Sequence, residues 1–178
     1  RIAATVIRPT WVYGPRDFTI LPRLIEHLQG PLACWIGGNN PVVDPIYVTD
    51  VAECAYLAAT NERAAGQAYN VAPPEEIRLR EFLGALCREL KIAPPRWSLP
   101  YGAAYLATKA CETWAHLISA KDAPSLTSAG LASFTVDQHF DPTKAMTELN
   151  WRPQVDLEEG ARRTAAWLSA SGSLPKSG

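Results

Sequence analysis

Histidine, cysteine and methionine are scarce in this sequence: three, four and one among 178 residues. His27, His116 and His139 stand far apart with few carboxylate companions, so a metal site is not expected and each reads as a surface residue. Cys34, Cys54, Cys87 and Cys111 form no CxxC pair, and three fall in helical apolar patterns, so buried reduced thiols are expected rather than disulfides or zinc ligands. A basic run is missing too. Seventeen Lys and Arg against eighteen Asp and Glu give a formal charge of -1, which argues against nucleic acid as a partner. No apolar stretch approaches the roughly 20 residues that a membrane-crossing helix needs, so no membrane span is expected. Nor does a charged-then-apolar leader open the chain, which makes a cytoplasmic location the expectation.

What is present is the composition of a folded domain. Hydrophobic residues make up 47% and charged residues 20%, and the length suits one core. The chain starts at Arg1, its sole methionine is Met146, and its first residues already read as a strand, so it is expected to be a piece of a longer protein.

Along the chain, Ile2 to Ile7 (IAATVI) suits a strand buried on both faces of a parallel sheet, ended by Arg8-Pro9. Leu21, Leu24, Ile25 and Leu28 recur at helical spacing up to Gly30-Pro31. Val42 to Val48 reads as a strand bent at Pro45. Asp50 and Glu53 read as a capping box opening a helix to about Thr60, with Val51, Ala55, Ala58 and Ala59 as its inner stripe. Gln67 to Val71 is a further strand. Phe82, Leu83, Leu86, Cys87 and Leu90 mark a helix stopped by Pro94-Pro95, and Arg96 to Leu99 is extended. From Tyr101 to Ile118 the spacing predicts a helix with its apolar stripe (Ala103, Leu106, Ala107, Ala110, Cys111, Trp114, Leu117, Ile118) turned inward and Lys109, Glu112 and His116 opposite. Ser119 to Ser128 is a polar connection. Asp141-Pro142 opens a short helix that ends near Asn150, and Asp156 with Glu159 caps a terminal helix before the Gly172 to Gly178 tail. Strands alternate with helices early and helices dominate later, so the fold class is α/β: part of a doubly wound sheet with few parallel strands and a mostly helical lobe.

Several blocks are more specific than this outline. Arg8 to Pro15 reads RPTWVYGP, Asp44 to Ala52 DPIYVTDVA, Gly66 to Val71 GQAYNV, Phe140 to Pro153 FDPTKAMTELNWRP, and Leu157 to Gly160 LEEG. In kind and in order they resemble the carboxyl-terminal, substrate-binding half of the extended short-chain dehydrogenase/reductases, the NAD-dependent epimerase/dehydratase superfamily, over nearly the whole chain. That resemblance divides the chain into late Rossmann strands and helices (1–71), a mainly helical substrate lobe (72–171) and a flexible tail (172–178). It implies NAD or NADP as cofactor of the intact protein, with the backbone of Pro9, Thr10, Trp11 and Val12 against the nicotinamide ring. Tyr13, Arg16, Phe18, Trp35 and Tyr47 become candidate substrate-binding residues. For the aromatics, core packing is the alternative; for Arg16-Asp17, a solvated turn.

Where the family's nucleotide-sugar enzymes carry an arginine before Asp44, this chain has Val43, which cannot clamp a diphosphate. The segment from Pro94 to Thr127, with Leu126-Thr127, is closer to the 3β-hydroxysteroid dehydrogenase-like branch, which implies an apolar hydroxy or keto substrate. The chain has no GxxGxxG turn for a pyrophosphate. Tyr105 and Lys109 have the spacing of the family's catalytic YxxxK pair but follow the RPxxxYGP block instead of preceding it, and read as a solvated helix face with Glu112 pairing Lys109. No catalytic residue is therefore assigned. The expected partners are a small apolar substrate and the missing Rossmann half, with homo-oligomer formation left open. A non-catalytic binding module and a nucleotide-sugar epimerase or dehydratase are the alternatives.

Overall fold

The computed structural model describes residues 4–117, 131 and 135–172. Ile2 and Ala3 of the expected first strand, the connection at 119–128 with Leu126-Thr127, Ile118 and the tail beyond Gly172 lie outside the described residues. The fold is α/β with few strands, every named pair parallel: β1 (Val6–Pro9) with β5 (Ala68–Val71), β2 (Val12–Tyr13) with β4 (Ile46–Tyr47), and β3 (Trp35–Ile36) with β6 (Ser98–Leu99). Parallel pairing needs crossovers, and the helices α1 (Ile20–Gln29), α2 (Val48–Thr60) and α3 (Leu79–Leu90) supply them. After β6 come α4 (Tyr101–Leu117), α5 (Thr143–Glu148) and α6 (Leu157–Ser171).

Two apolar clusters hold these elements. One gathers Leu21, Leu24 and Leu28 of α1 with Tyr13, Tyr47, Phe82, Leu83, Leu86 and Ala161. The other sets Cys54 and Ala58 of α2 and Tyr69 and Val71 of β5 against Ala145, Leu149 and Trp151. Both draw on residues either side of Val71, so late helices complete the core that the early strands begin. Gly14 lies where two elements touch: its φ is +135°, and a Cβ there would fall 2.8 Å from Val48 Cγ1.

Four expectations need correction. The first strand is not buried on both faces, since Val6 is 49% exposed. The amides of Val6 and Thr10 bond to Gln67 and Val71, so the alternate backbone groups of Thr5, Ile7 and Pro9 face an edge that no described strand occupies. Between Val42 and Val48 only Ile46–Tyr47 pairs as a strand, because Asp44 takes φ +41° just before Pro45. Asp50 does not cap α2, which begins at Val48; its buried carboxylate instead accepts the amides of Gln154 (3.1 Å) and Val155 (3.2 Å). Finally, α4 lies with Ala104 and Thr108 inward, so Leu106 (70% exposed), Trp114 (65%) and Cys111 face outward. Its apolar stripe has no described partner, and Cys111 is not the buried thiol expected of it. The terminal helix matches expectation, with Asp156 accepting from the Glu159 amide at 2.8 Å.

Candidate functional site

In parallel α/β sheets ligands bind beyond the carboxyl ends of the strands. At that end of β1 and β5 stand Pro9 and Val71. Pro9 is exposed, and having no N–H it leaves no donor stranded at the open edge. Thr10 follows. Its amide donates to the Val71 carbonyl (3.0 Å) and its hydroxyl to the Asp44 carbonyl (2.6 Å). The Trp11 carbonyl accepts from the Ile46 amide at 2.9 Å, tying the turn between β1 and β2 to β4. The polar groups of Thr10 are thus spent inward.

Asp44 is the hub of this end. Fully buried, it accepts the Ile77 amide on Oδ1 (3.0 Å) and His139 Nδ1 on Oδ2 (2.5 Å). The hydrogen bond to Asp44 raises the His139 pKa above its ordinary value; partial burial opposes this, and the charges of Asp44, Glu76 and Asp141 reinforce it. His139 is therefore not a free surface residue. Its side chain is 41% exposed but anchored on a buried carboxylate. Sequence reading missed this pair, since nothing local links two positions so far apart in the chain.

The nine sequence-derived site residues do not all converge. Pro9 and Thr10 lie at the strand end, and Val12 is half-buried in β2. Trp11 packs edge-on against Phe82 at 5.4 Å. Tyr13 and Tyr47 are 2% and 3% exposed, 5.5 Å apart ring to ring, and belong to the core, where their side chains offer a ligand no surface. Burial pushes both phenols above their ordinary range, Tyr13 furthest, so neither is poised to give up a proton. Trp35 is braced in β3, its indole N–H donating to the Pro95 carbonyl (2.9 Å) and Arg80 lying over its ring. Phe18, 69% exposed, meets Trp167 of α6 at 5.7 Å. Arg16 is exposed in a turn with φ +69°. Its neighbour Asp17 caps α1, accepting from the amides of Thr19 (2.9 Å), Ile20 (3.0 Å) and Leu21 (3.2 Å). Burial works to raise the Asp17 pKa, but these donors outweigh it and hold the carboxyl below its usual range.

Tyr105 and Lys109 show the solvated geometry expected: the ammonium meets Glu112 at 3.0 Å and lies over the Tyr105 ring at 5.8 Å. Among the described residues no group of His, Cys, Asp and Glu could hold a metal ion. Burial lifts Cys54 to about 11, which leaves that thiol unreactive. The strand end does fit one face of a flat ring, because Pro9 presents a proline ring outward while Thr10 turns its donors inward. In the glycine- and asparagine-rich loop after β3, the Gly37 amide donates to the Leu99 carbonyl, and Asn40 is engaged by Arg78 and Arg80.

Residues 1–72 match the NAD dependent epimerase/dehydratase family. Over 177 residues the chain is 33% identical to the uncharacterized protein YbjS of Escherichia coli, covering 97% of this chain and 52% of that protein. It is 31% identical to 3beta-hydroxysteroid-dehydrogenase/decarboxylase isoform 2 of Arabidopsis thaliana over 89% of this chain and 30% of that one. The crystal structure of a Thermotoga maritima UDP-glucose 4-epimerase superposes with a TM-score of 0.65 at 20% identity, over 96% of this chain and 47% of that chain. The chain spans about half the length of the first two curated relatives it matches, 52% of each.

Proposed function

Given that the chain belongs to the extended short-chain dehydrogenase/reductases, the NAD-dependent epimerase/dehydratase superfamily, we propose that it is the substrate-binding half of a NAD(P)-dependent oxidoreductase acting on a secondary alcohol or ketone of an apolar molecule. The bound nicotinamide would supply or accept the hydride. Pro9 to Val12 would form one wall against that ring, with Trp11 and Val12 adding apolar surface and the inward hydrogen bonds of Thr10 keeping the wall rigid. Proton transfer and pyrophosphate binding belong to a preceding Rossmann half. The reading rests above all on one observation: β1 has Val6 49% exposed and one edge that no described strand pairs.

The substrate class is carried by charge. Val43, 2% exposed within the first apolar cluster, puts no cation where a diphosphate would need one. A steroid-, sterol- or flavonoid-like substrate fits such surroundings better than a nucleotide sugar. In the same reading the protein works in the cytoplasm, and no helix among the described residues is long and apolar enough to cross a membrane. Thermal unfolding of the chain with steroid ketones or with UDP-sugars tests the class, since a ligand that binds only the folded state raises Tm. A rise with the ketones alone is expected. A rise with UDP-sugars alone would transfer the chain to the nucleotide-sugar enzymes.

A further inference from the structure

Asp44 is held at φ +41°, a conformation that costs an L residue energy and persists only where its surroundings impose it. Here they do. Its carbonyl accepts from the Thr10 hydroxyl, its amide donates to the Ile77 carbonyl, and Oδ1 accepts from the Ile77 amide. The one carboxylate oxygen left, Oδ2, is spent on His139 Nδ1 at 2.5 Å. Nδ1 is engaged by the buried carboxylate, and the side chain as a whole is 41% exposed, which leaves Nε2 as the ring nitrogen available to a ligand.

The segment that carries His139 runs between the carboxyl end of β5 and the stretch that leads into β4. Gln138 donates its amide to the Val42 carbonyl (2.8 Å), and the Val42 amide returns a bond to Asp137 Oδ1 (2.8 Å). Two residues beyond His139, the Asp141 carbonyl accepts from the Asn70 side chain (3.4 Å), and Asn70 is the penultimate residue of β5. His139 thus lies beside the place where a doubly wound sheet receives its ligand, linked through Asp44 to Thr10.

Charge selects the chemistry of that ligand. The other charged groups acting on His139 are Glu76 and Asp141, both acidic. With the directly bonded Asp44 they make the charge around the imidazole mainly acidic, although Glu76 is itself paired with Arg78 at 3.8 Å, and this favours an uncharged ligand oxygen over a phosphate or carboxylate. A donor in such surroundings suits an uncharged oxygen.

We propose that His139, as an imidazolium whose Nδ1–H is held by the Asp44 carboxylate, donates Nε2–H to an uncharged carbonyl or hydroxyl oxygen of the substrate at the carboxyl ends of β1 and β5. The inference rests on the reading of this chain as a substrate half and adds to it a specific polar contact. His139 would touch the ligand, and Asp44 would be a positioning residue acting through it.

Quenching of tryptophan fluorescence tests the inference on the full 178-residue chain, with 4-androstene-3,17-dione as probe and androstane, the hydrocarbon of the same ring system, as control. Losing a hydrogen bond from a charged donor weakens binding by about tenfold or more, so His139→Leu is expected to bind the dione about tenfold less tightly and androstane unchanged. His139→Gln, which keeps an N–H donor, recovers part of the loss. Asp44→Asn, which removes the charge that orients the ring, falls between the two. In long-range 1H–15N spectra of the wild type, the dione moves the Nε2 signal of His139 and leaves that of His27 in place, a readout that decides the matter even where a variant fails to fold. Equal dione affinity in wild type and His139→Leu, or an unmoved Nε2, overturns this inference and leaves the substrate-half reading standing. Failure of the wild type to bind the dione overturns the inference together with the apolar-substrate reading.

Discussion

The phenol of Tyr13 rests against the α-carbon of Gly160: a methyl group there would lie 2.1 Å from the hydroxyl and 2.8 Å from Cζ. This contact brings the RPTWVYGP block against the LEEG block and presses α6 onto β2. Only the absence of a side chain permits it.

Gly160→Ala is therefore expected to destabilise the fold by about 1–3 kcal/mol, the usual cost of overfilling a packed core. Tyr13→Phe in the same chain should return part of that loss and not all of it, because Cζ still crowds the added methyl. Urea unfolding of the two single variants and the double variant measures the coupling.

Asp50 carries a second long-range join. Its carboxylate accepts the amides of Gln154 and Val155, and its carbonyl accepts the Trp151 indole N–H at 3.0 Å. Removing the carboxylate leaves two amides without their charged acceptor, at roughly 1–3 kcal/mol each. Asp50→Ala is expected to cost about 2–6 kcal/mol and Asp50→Asn less, with hydrogen exchange at the Gln154 and Val155 amides accelerating first.

These two cases mark what the sequence could and could not disclose. The helices α1, α3 and α6 were legible because leucines at helical spacing and an Asp-x-x-Glu start are local signals, and Leu21, Leu24, Phe82 and Asp156 all sit as that spacing requires. The same Asp-x-x-Glu pattern misled at Asp50, where partners from a distant loop outcompete the cap. For α4 the periodicity was correct, but an apolar stripe looks identical whether or not anything covers it, so Leu106 and Trp114 were assigned inward when they face out. At the candidate site, Pro9 to Val12 were named from the block that contains them; the fold puts Pro9 and Thr10 at a strand end, and their contact with a nicotinamide ring belongs to the proposal. Tyr13 and Tyr47 were aromatic residues near sheet ends, a pattern shared by pocket and core, and the core has both. His139 gave no local signal, because its partner Asp44 becomes a neighbour only on folding.

The Asp44–His139 pair also sets a pH dependence. His139 has a raised pKa in the fold, so its contribution to stability is complete below the unfolded value of about 6.5 and is lost as pH rises through the folded value. The Tm difference between wild type and His139→Gln is expected to be larger at acidic pH than at alkaline pH. A difference independent of pH between 5 and 9, on the order of four units spanning that titration, would mean that the pair carries no net linkage.

The unpaired edge of β1 has consequences for association. Val6, half exposed on that strand, is a surface that self-associating chains would cover. Val6→Lys is expected to reduce light scattering and shift size-exclusion elution toward the monomer, with Tm nearly unchanged. Unaltered association would move attention to the exposed stripe of α4.

On the function proposed above, this chain holds the substrate wall and not the chemistry. The most direct test is NADH binding and turnover by the purified chain, followed by nicotinamide fluorescence and absorbance with 4-androstene-3,17-dione as acceptor. Neither saturable binding at micromolar NADH nor oxidation of the cofactor is expected. Steady NADH consumption by the chain alone would contradict the proposed function.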